Sequence, residues 1–278
     1  MAIVPYPCAS KPLTAAEFSA SLSALGADAA AVWSLLAVES GKAGYLPDRR
    51  PQILFERAKF HQLTQGAYDQ LHPRISASTW GGYTGGAAEY ARLGEAYALA
   101  PDAALQSASW GIAQVMGFNY AKSGYDSVAE YVQAVCASEG AQLQAFVNFL
   151  RNSGIAPLLA AHQWDAVAER YNGSGQVEAY SERLQENYAR LSISASLPDP
   201  DVRATQLYLT FAAHAQCISA FNPGEIDGIL GSPGSSRTLA ALNAWQLARG
   251  LPATSVVDDG VLATLAAAMP APAPLSLA

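Results

Sequence analysis

The chain has 278 residues, 51% of them hydrophobic and 14% charged, with a net charge of −7 and a pI near 5.1. It is long enough for a sizeable core and a second, smaller module. The acidic balance, with no Lys/Arg stretch carrying interleaved aromatics, argues against nucleic-acid binding, and no run is long and apolar enough to predict a membrane span.

The opening "MAIVPYPCASKPL" has no basic cluster followed by an apolar run, so export through a Sec signal is not expected. Thr14 and Glu17 have capping-box spacing, Phe18, Leu22 and Leu25 share a helical face, and Gly26 is a stop. The next helix is predicted over about 28–40, with Asp28 as N-cap and Gly41 or Gly44 as stop. Val32, Leu35, Leu36 and Glu39 recur on one of its faces, so a carboxylic acid shares that face with core residues. Apolar surroundings and the negative end of the helix both disfavour the carboxylate, which predicts a raised pKa and an acid able to donate a proton near neutrality. Position alone leaves open a helix-end Glu39 whose stem packs while its head reaches water.

In "RRPQILFERAKF", Ile53, Leu54 and Phe55 read as a short buried strand ending near Glu56. Glu56 is either a second functional carboxylate or a structural partner of Arg57, Arg49 or Arg50. "TWGGYTGG" is too glycine-rich for regular structure and sets Trp80 and Tyr83 on a loop, as a connection or a sugar-stacking wall. It lacks dinucleotide GxGxxG spacing.

"SASWGIAQVMGFNY" places Ser109, Trp110 and Gln114 on what reads as a loop entering a helix. Ser127 and Glu130 repeat the box spacing, Leu143, Phe146, Val147 and Leu150 form an apolar stripe, and "AERYNGSG" ends a helix with Tyr171 and Asn172. "QVEAYSERLQENYARL" is amphipathic, and the small-residue, proline-containing "LSISASLPDPD" reads as a linker. Beyond it lies a pseudo-repeat: Val202, Gln206 and Leu209 lead to "IDGILG", and Thr238, Leu242, Trp245 and Gln246 lead to "VDDGV". Turns are expected at Asp227 and Asp259.

Cys8, Cys136 and Cys217 are far apart and without a CxxC pair, so three reduced thiols and no zinc site are expected. His61, His72, His162 and His214 have no metal-ligand spacing, which assigns them to packing or surface. No metal or other cofactor is called for.

Taken in order, "VES", "SWGIAQVMG" and "RYNGSG" resemble the lysozyme-like superfamily of goose-type lysozymes and lytic transglycosylases. Through "AVESGKAGYLPDRRPQILFERAKF" and "SWGIAQVMGFNY" the closer resemblance, over about residues 12–192, is to the N-acetylmuramidase family of modular phage endolysins. The C-terminal pseudo-repeat is similar to the small three-helix peptidoglycan-binding domain of wall hydrolases. Three departures stand out: a long "GSPGSSRT" step, a catalytic part that precedes the binding part, and Ala58 and Lys59 near a point where the family often has histidine.

The resemblance implies a mainly α, lysozyme-like catalytic domain with a small β element over 1–192, a linker over 193–200 and a peptidoglycan-binding domain over 201–278. It implies Glu39 as the acid that protonates the bond between N-acetylmuramic acid and N-acetylglucosamine, and Glu56 as second carboxylate. Ser109, Gln114, Tyr171 and Asn172 would line the cleft, with Trp80, Tyr83 and Trp110 as stacking surfaces. The expected partner is peptidoglycan, with no nucleic acid and no membrane insertion, and the chain is expected to be a monomer. Such an enzyme would wait in the host cytoplasm until a holin opens the inner membrane, unless it is an effector delivered by a secretion machine. A lytic transglycosylase with a single Glu and a non-catalytic wall-binding protein are the competing readings.

Overall fold

The computed structural model describes residues 3–39, 43–173, 177–194, 197–232 and 234–277, with backbone alone at 3–5 and 172. In chain order the elements are β1 (Ile3–Cys8), α1 (Ala15–Leu25), α2 (Ala29–Glu39), β2 (Ile53–Phe55), α3 (Arg57–Thr64) and α4 (Glu89–Leu99). Then come α5 (Pro101–Gln106), β3 (Ala108–Trp110), β4 (Val115–Met116), α6 (Val128–Ala137), α7 (Glu139–Asn152) and α8 (Ala156–Ala160). The chain continues through α9 (Trp164–Asn172), α10 (Val177–Ser192), α11 (Pro200–Gln216), α12 (Arg237–Leu247), α13 (Asp259–Ala267) and β5 (Ala273–Ser276). By packing, the chain divides into two units: 1–10, 44–153 and 272–278 in one, and 11–43 with 154–271 in the other.

In the second unit, the Thr14 hydroxyl accepts from the Glu17 amide at 3.2 Å while the Glu17 carboxylate accepts from the Thr14 amide at 3.0 Å, and Gly26 closes α1 at φ +63°. Asp28 accepts from the Ala31 amide at 2.9 Å and so starts α2. Seven successive residues of α2, Ala30 to Leu36, are buried, because this helix is apolar all round and sits inside, packed on α10. Phe18 stacks on Trp33 with centroids 4.4 Å apart. The expected stop at Gly41 and Gln176, which opens the predicted amphipathic stretch, lie outside the described residues.

The C-terminal helices close on Leu209, Phe221, Leu242, Trp245 and Leu265. Each half of the pseudo-repeat is clamped by a glutamine. Gln206 Oε1 accepts from the Gly228 amide at 2.8 Å and its Nε2 donates to Asp227 at 2.9 Å, while Gln246 holds Thr254 through two bonds of 3.0 Å. Gly228 takes φ +73° in the expected turn. The second Asp-Gly step differs from expectation: Asp258 caps α13 by accepting from the Val261 amide, so Asp259 and Gly260 lie inside the helix.

In the first unit, β2, β3 and β4 form an antiparallel sheet in that order, with Leu54 opposite Ser109 and Trp110 opposite Val115. The stretch read as a loop entering a helix is therefore a β-hairpin followed by a short 3₁₀ turn at Gly117–Asn119. Its strands of three and two residues are too short to display a period. The Ser127 hydroxyl caps α6, but the Glu130 carboxylate reaches back to the Asp126 amide and not to that of Ser127. Leu143, Phe146, Val147 and Leu150 are all buried in α7, as the stripe predicts. From that helix Gln142 accepts from the Ile112 amide at 2.8 Å and Glu139 accepts from the Gly44 amide at 2.7 Å, which fixes the hairpin and the segment entering the sheet.

β5 has no counterpart among the elements expected from the sequence. It pairs antiparallel with β1, Ile3 opposite Ser276 and Cys8 opposite Ala273, with Leu275 and Leu277 buried.

Candidate active site

Glu39 is the last residue of α2. Its carboxylate accepts from the Tyr180 hydroxyl and is also bonded by Tyr171, and the two phenol rings stack with centroids 5.8 Å apart. Arg183 lies over the Tyr180 ring, one turn further along α10. Burial dominates: desolvation pushes the Glu39 pKa up to about 7, although both phenols and the Arg183 charge pull it down. The sequence-based direction holds, with desolvation as the cause and three opposing groups that no local pattern announces. Tyr171 thus serves Glu39 directly. Asn172 ends α9, and its side chain lies outside the described set.

Glu56 stands at the N-cap of α3, yet its side chain makes no capping bond. The residue is only 8% exposed, and its carboxylate is met by the Tyr83 hydroxyl at 3.0 and 2.9 Å. Desolvation raises its pKa, the Tyr83 bond and the Arg92 charge oppose this, and Glu89 adds to the rise. The three arginines that the sequence offered as partners bond elsewhere. Arg57 donates to Thr79 and Trp80, Arg49 to the Ala9 carbonyl, and Arg50 pairs with Asp48 at 2.7 Å.

The glycine-rich loop that carries Tyr83 is pinned by a residue that the sequence reading missed. Glu89, fully buried, accepts from the Thr84 and Gly85 amides and pairs with Arg92 at 2.7 Å. Burial pushes its pKa up, but the two amides and Arg92 outweigh it and keep the carboxyl below its usual range. A Glu in the first turn of a helix just after a Gly-Gly loop is a faint signal for such a loop anchor. Trp80 is 64% exposed on this loop, whereas Tyr83 is 46% exposed and spends its hydroxyl on Glu56.

Ser109 and Gln114 meet across the hairpin at 2.8 Å, and the Gln114 amide also donates to the Gly111 and Gln52 carbonyls. Gln114 takes φ +48°, a left-handed conformation that these bonds hold in place. Trp110 corrects the sequence reading. It is 1% exposed, with its indole N–H donated to the Leu105 carbonyl, so its ring is core and cannot stack on a sugar. Among the described residues no group of His, Cys, Asp and Glu could hold a metal ion, and no single helix is long and apolar enough to cross a membrane.

Residues 28–192 match the N-acetylmuramidase family. The crystal structure of an endolysin from Burkholderia AP3 phage superposes with a TM-score of 0.60 at 39% identity, over 66% of this chain and 73% of that one. No curated protein matches. The mainly α, lysozyme-like fold and the matched stretch define a glycoside hydrolase that acts on peptidoglycan. The chain belongs to the N-acetylmuramidase family.

Proposed function

We propose that the chain is an endolysin that hydrolyses the β-1,4 bond from N-acetylmuramic acid to N-acetylglucosamine, with Glu39 as general acid and Glu56 as second carboxylate. The observation that carries the assignment is the Glu39 carboxyl, desolvated and held near pKa 7 by two phenols and an arginine. In that range a carboxylic acid is still protonated when substrate binds and still acidic enough to give the proton up.

Glu39 protonates the glycosidic oxygen as the C1–O bond breaks. Water supplies the new oxygen at C1 and, in the end, the proton that restores Glu39. Glu56, favoured as a carboxylate by Tyr83 and Arg92, either attacks C1 and is released by water or takes the proton of the attacking water. The first-formed anomer, read by proton NMR, separates these two routes. Ser109 and Gln114 bind substrate from the hairpin, Tyr171 orients Glu39, and Trp80 offers its exposed face to a sugar. Residues 201–278 raise the local concentration of enzyme on the wall. Within a phage cycle the protein waits in the host cytoplasm as a monomer and lyses the cell once the inner membrane opens. The endolysin name of the structural relative supports this reading.

The test is digestion of purified sacculi by wild type, Glu39→Gln and Glu56→Gln, with released muropeptides weighed and each fold checked by circular dichroism. Hydrated reducing ends from wild type and loss in both variants support the assignment. Products lighter by one water, with Glu56→Gln still active, would make the enzyme a lytic transglycosylase. Binding without release would leave only a wall-binding role.

A further inference from the structure

Away from Glu39, the half-buried rings of His162, Trp164 and Tyr188 cluster where the turn into α9 meets α10. His162 stacks on Trp164 at 5.3 Å and 17°, and Tyr188 lies 4.4 Å from His162 and 5.0 Å from Trp164. His162 and Trp164 border a pocket of about 360 Å³ completed by Gln163, Asp165 and Gln185. Tyr188 flanks it through its contacts with both rings.

The pocket is built into the fold. Asp165 accepts from the Ser181 hydroxyl, which accepts in turn from Gln185 at 3.0 Å. Asp28 engages the His162 ring at 2.7 Å and the Tyr188 hydroxyl. His162 takes φ +54°, uncommon for a residue with a side chain, between its amide bond to Leu159 and its carbonyl bond from Trp164. Asp28 caps the start of α2 and Glu39 ends it, so at 1.5 Å per residue the cluster lies about 16 Å from the acid along the helix.

No Lys or Arg lines this pocket, which disfavours an anion. Flat ring faces beside two amides and a carboxylate suit a neutral pyranose, whose C–H face lies on an aromatic ring while its hydroxyl and acetamido groups take the polar rim. We propose that this pocket is a second saccharide site, which holds an N-acetylhexosamine unit of the glycan at a distance from the bond being cut. The proposal rests on the glycan reading above and adds a hold on the strand separate from the C-terminal module.

The experiment is titration of ¹⁵N-labelled Glu39→Gln full chain with the N-acetylglucosamine tetramer, following the Trp164 indole signal, assigned by Trp164→Phe. A saturable shift is expected, with affinity at this signal weakened about fivefold or more by Gln185→Ala, the loss of one good polar contact. Gln185 is exposed, so this variant keeps the fold even if removal of Trp164 does not. A Trp164 signal that stays still at millimolar sugar, or a shift indifferent to Gln185→Ala, would overturn the proposal. Failure of the catalytic reading registers separately, as continued digestion of sacculi by Glu39→Gln.

Discussion

The Tyr83 hydroxyl reaches both carboxylate oxygens of Glu56, at 3.0 and 2.9 Å, across 27 residues of chain. This bond favours the ionised form of a carboxyl that burial pushes the other way. Tyr83→Phe removes it, so the Glu56 pKa rises further. If Glu56 works as a carboxylate, the acid limb of the rate profile on sacculi moves to higher pH, and the rate below neutrality falls about tenfold. An acid limb identical to that of wild type would exclude Glu56 as the group that titrates there.

Tyr180 has the same relation to Glu39, but the working form is the opposite one. The phenol and Arg183 stabilise the carboxylate, so Tyr180→Phe or Arg183→Gln raises the Glu39 pKa above about 7. The alkaline limb, where the acid loses its proton, then shifts upward in pH while the acid limb stays in place. A downward shift in either variant contradicts the assignment of Glu39 as proton donor.

The buried acid also couples folding to pH. A folded pKa raised from 4.5 to about 7 gives a contribution that is complete below the unfolded value and lost as pH climbs through the folded one. The full span is on the order of 3 kcal/mol. Glu39→Gln, which never ionises, is therefore expected to gain about 2–3 kcal/mol over wild type at pH 8 and little at pH 4. Urea unfolding at the two pH values measures the difference, and equal gains at both would refute it.

Gly44 has no room for a side chain. A Cβ there would overlap the Gln142 amide, which accepts from Ile112 and donates to the Val135 carbonyl at 2.9 Å. Gly44→Ala must displace Gln142 and orphan buried backbone groups, at a cost of about 2–4 kcal/mol. Thermal unfolding reads this directly, and an unchanged midpoint would mean that the segment relaxes freely.

Local chemistry was legible in the sequence and distant chemistry was not. Thr14 with Glu17, the strand at Ile53–Phe55, the apolar α2 and the α7 stripe are all set by neighbours a few residues apart. Gln142 acts on Ile112, 30 residues away, and nothing in its own surroundings marks it for burial, while Glu89 adds to its local loop bonds one to the Phe55 amide, 34 residues away. Trp110 misled because a Trp beside glycine reads alike in a binding loop and in a short buried strand. For Glu39 the apolar run gave the direction of the pKa shift, while the groups that moderate it come from α9 and α10.

The pairing of β1 with β5 joins residues 3–8 to residues 273–276. Cutting the chain within residues 193–200, where the sequence predicts a linker, would also remove β5, leaving β1 with an open edge and uncovering the site on α4 where the Leu277 carbonyl closes over Gly94. During synthesis the same geometry delays this ribbon, since its first strand must wait until residues 273–276 have emerged.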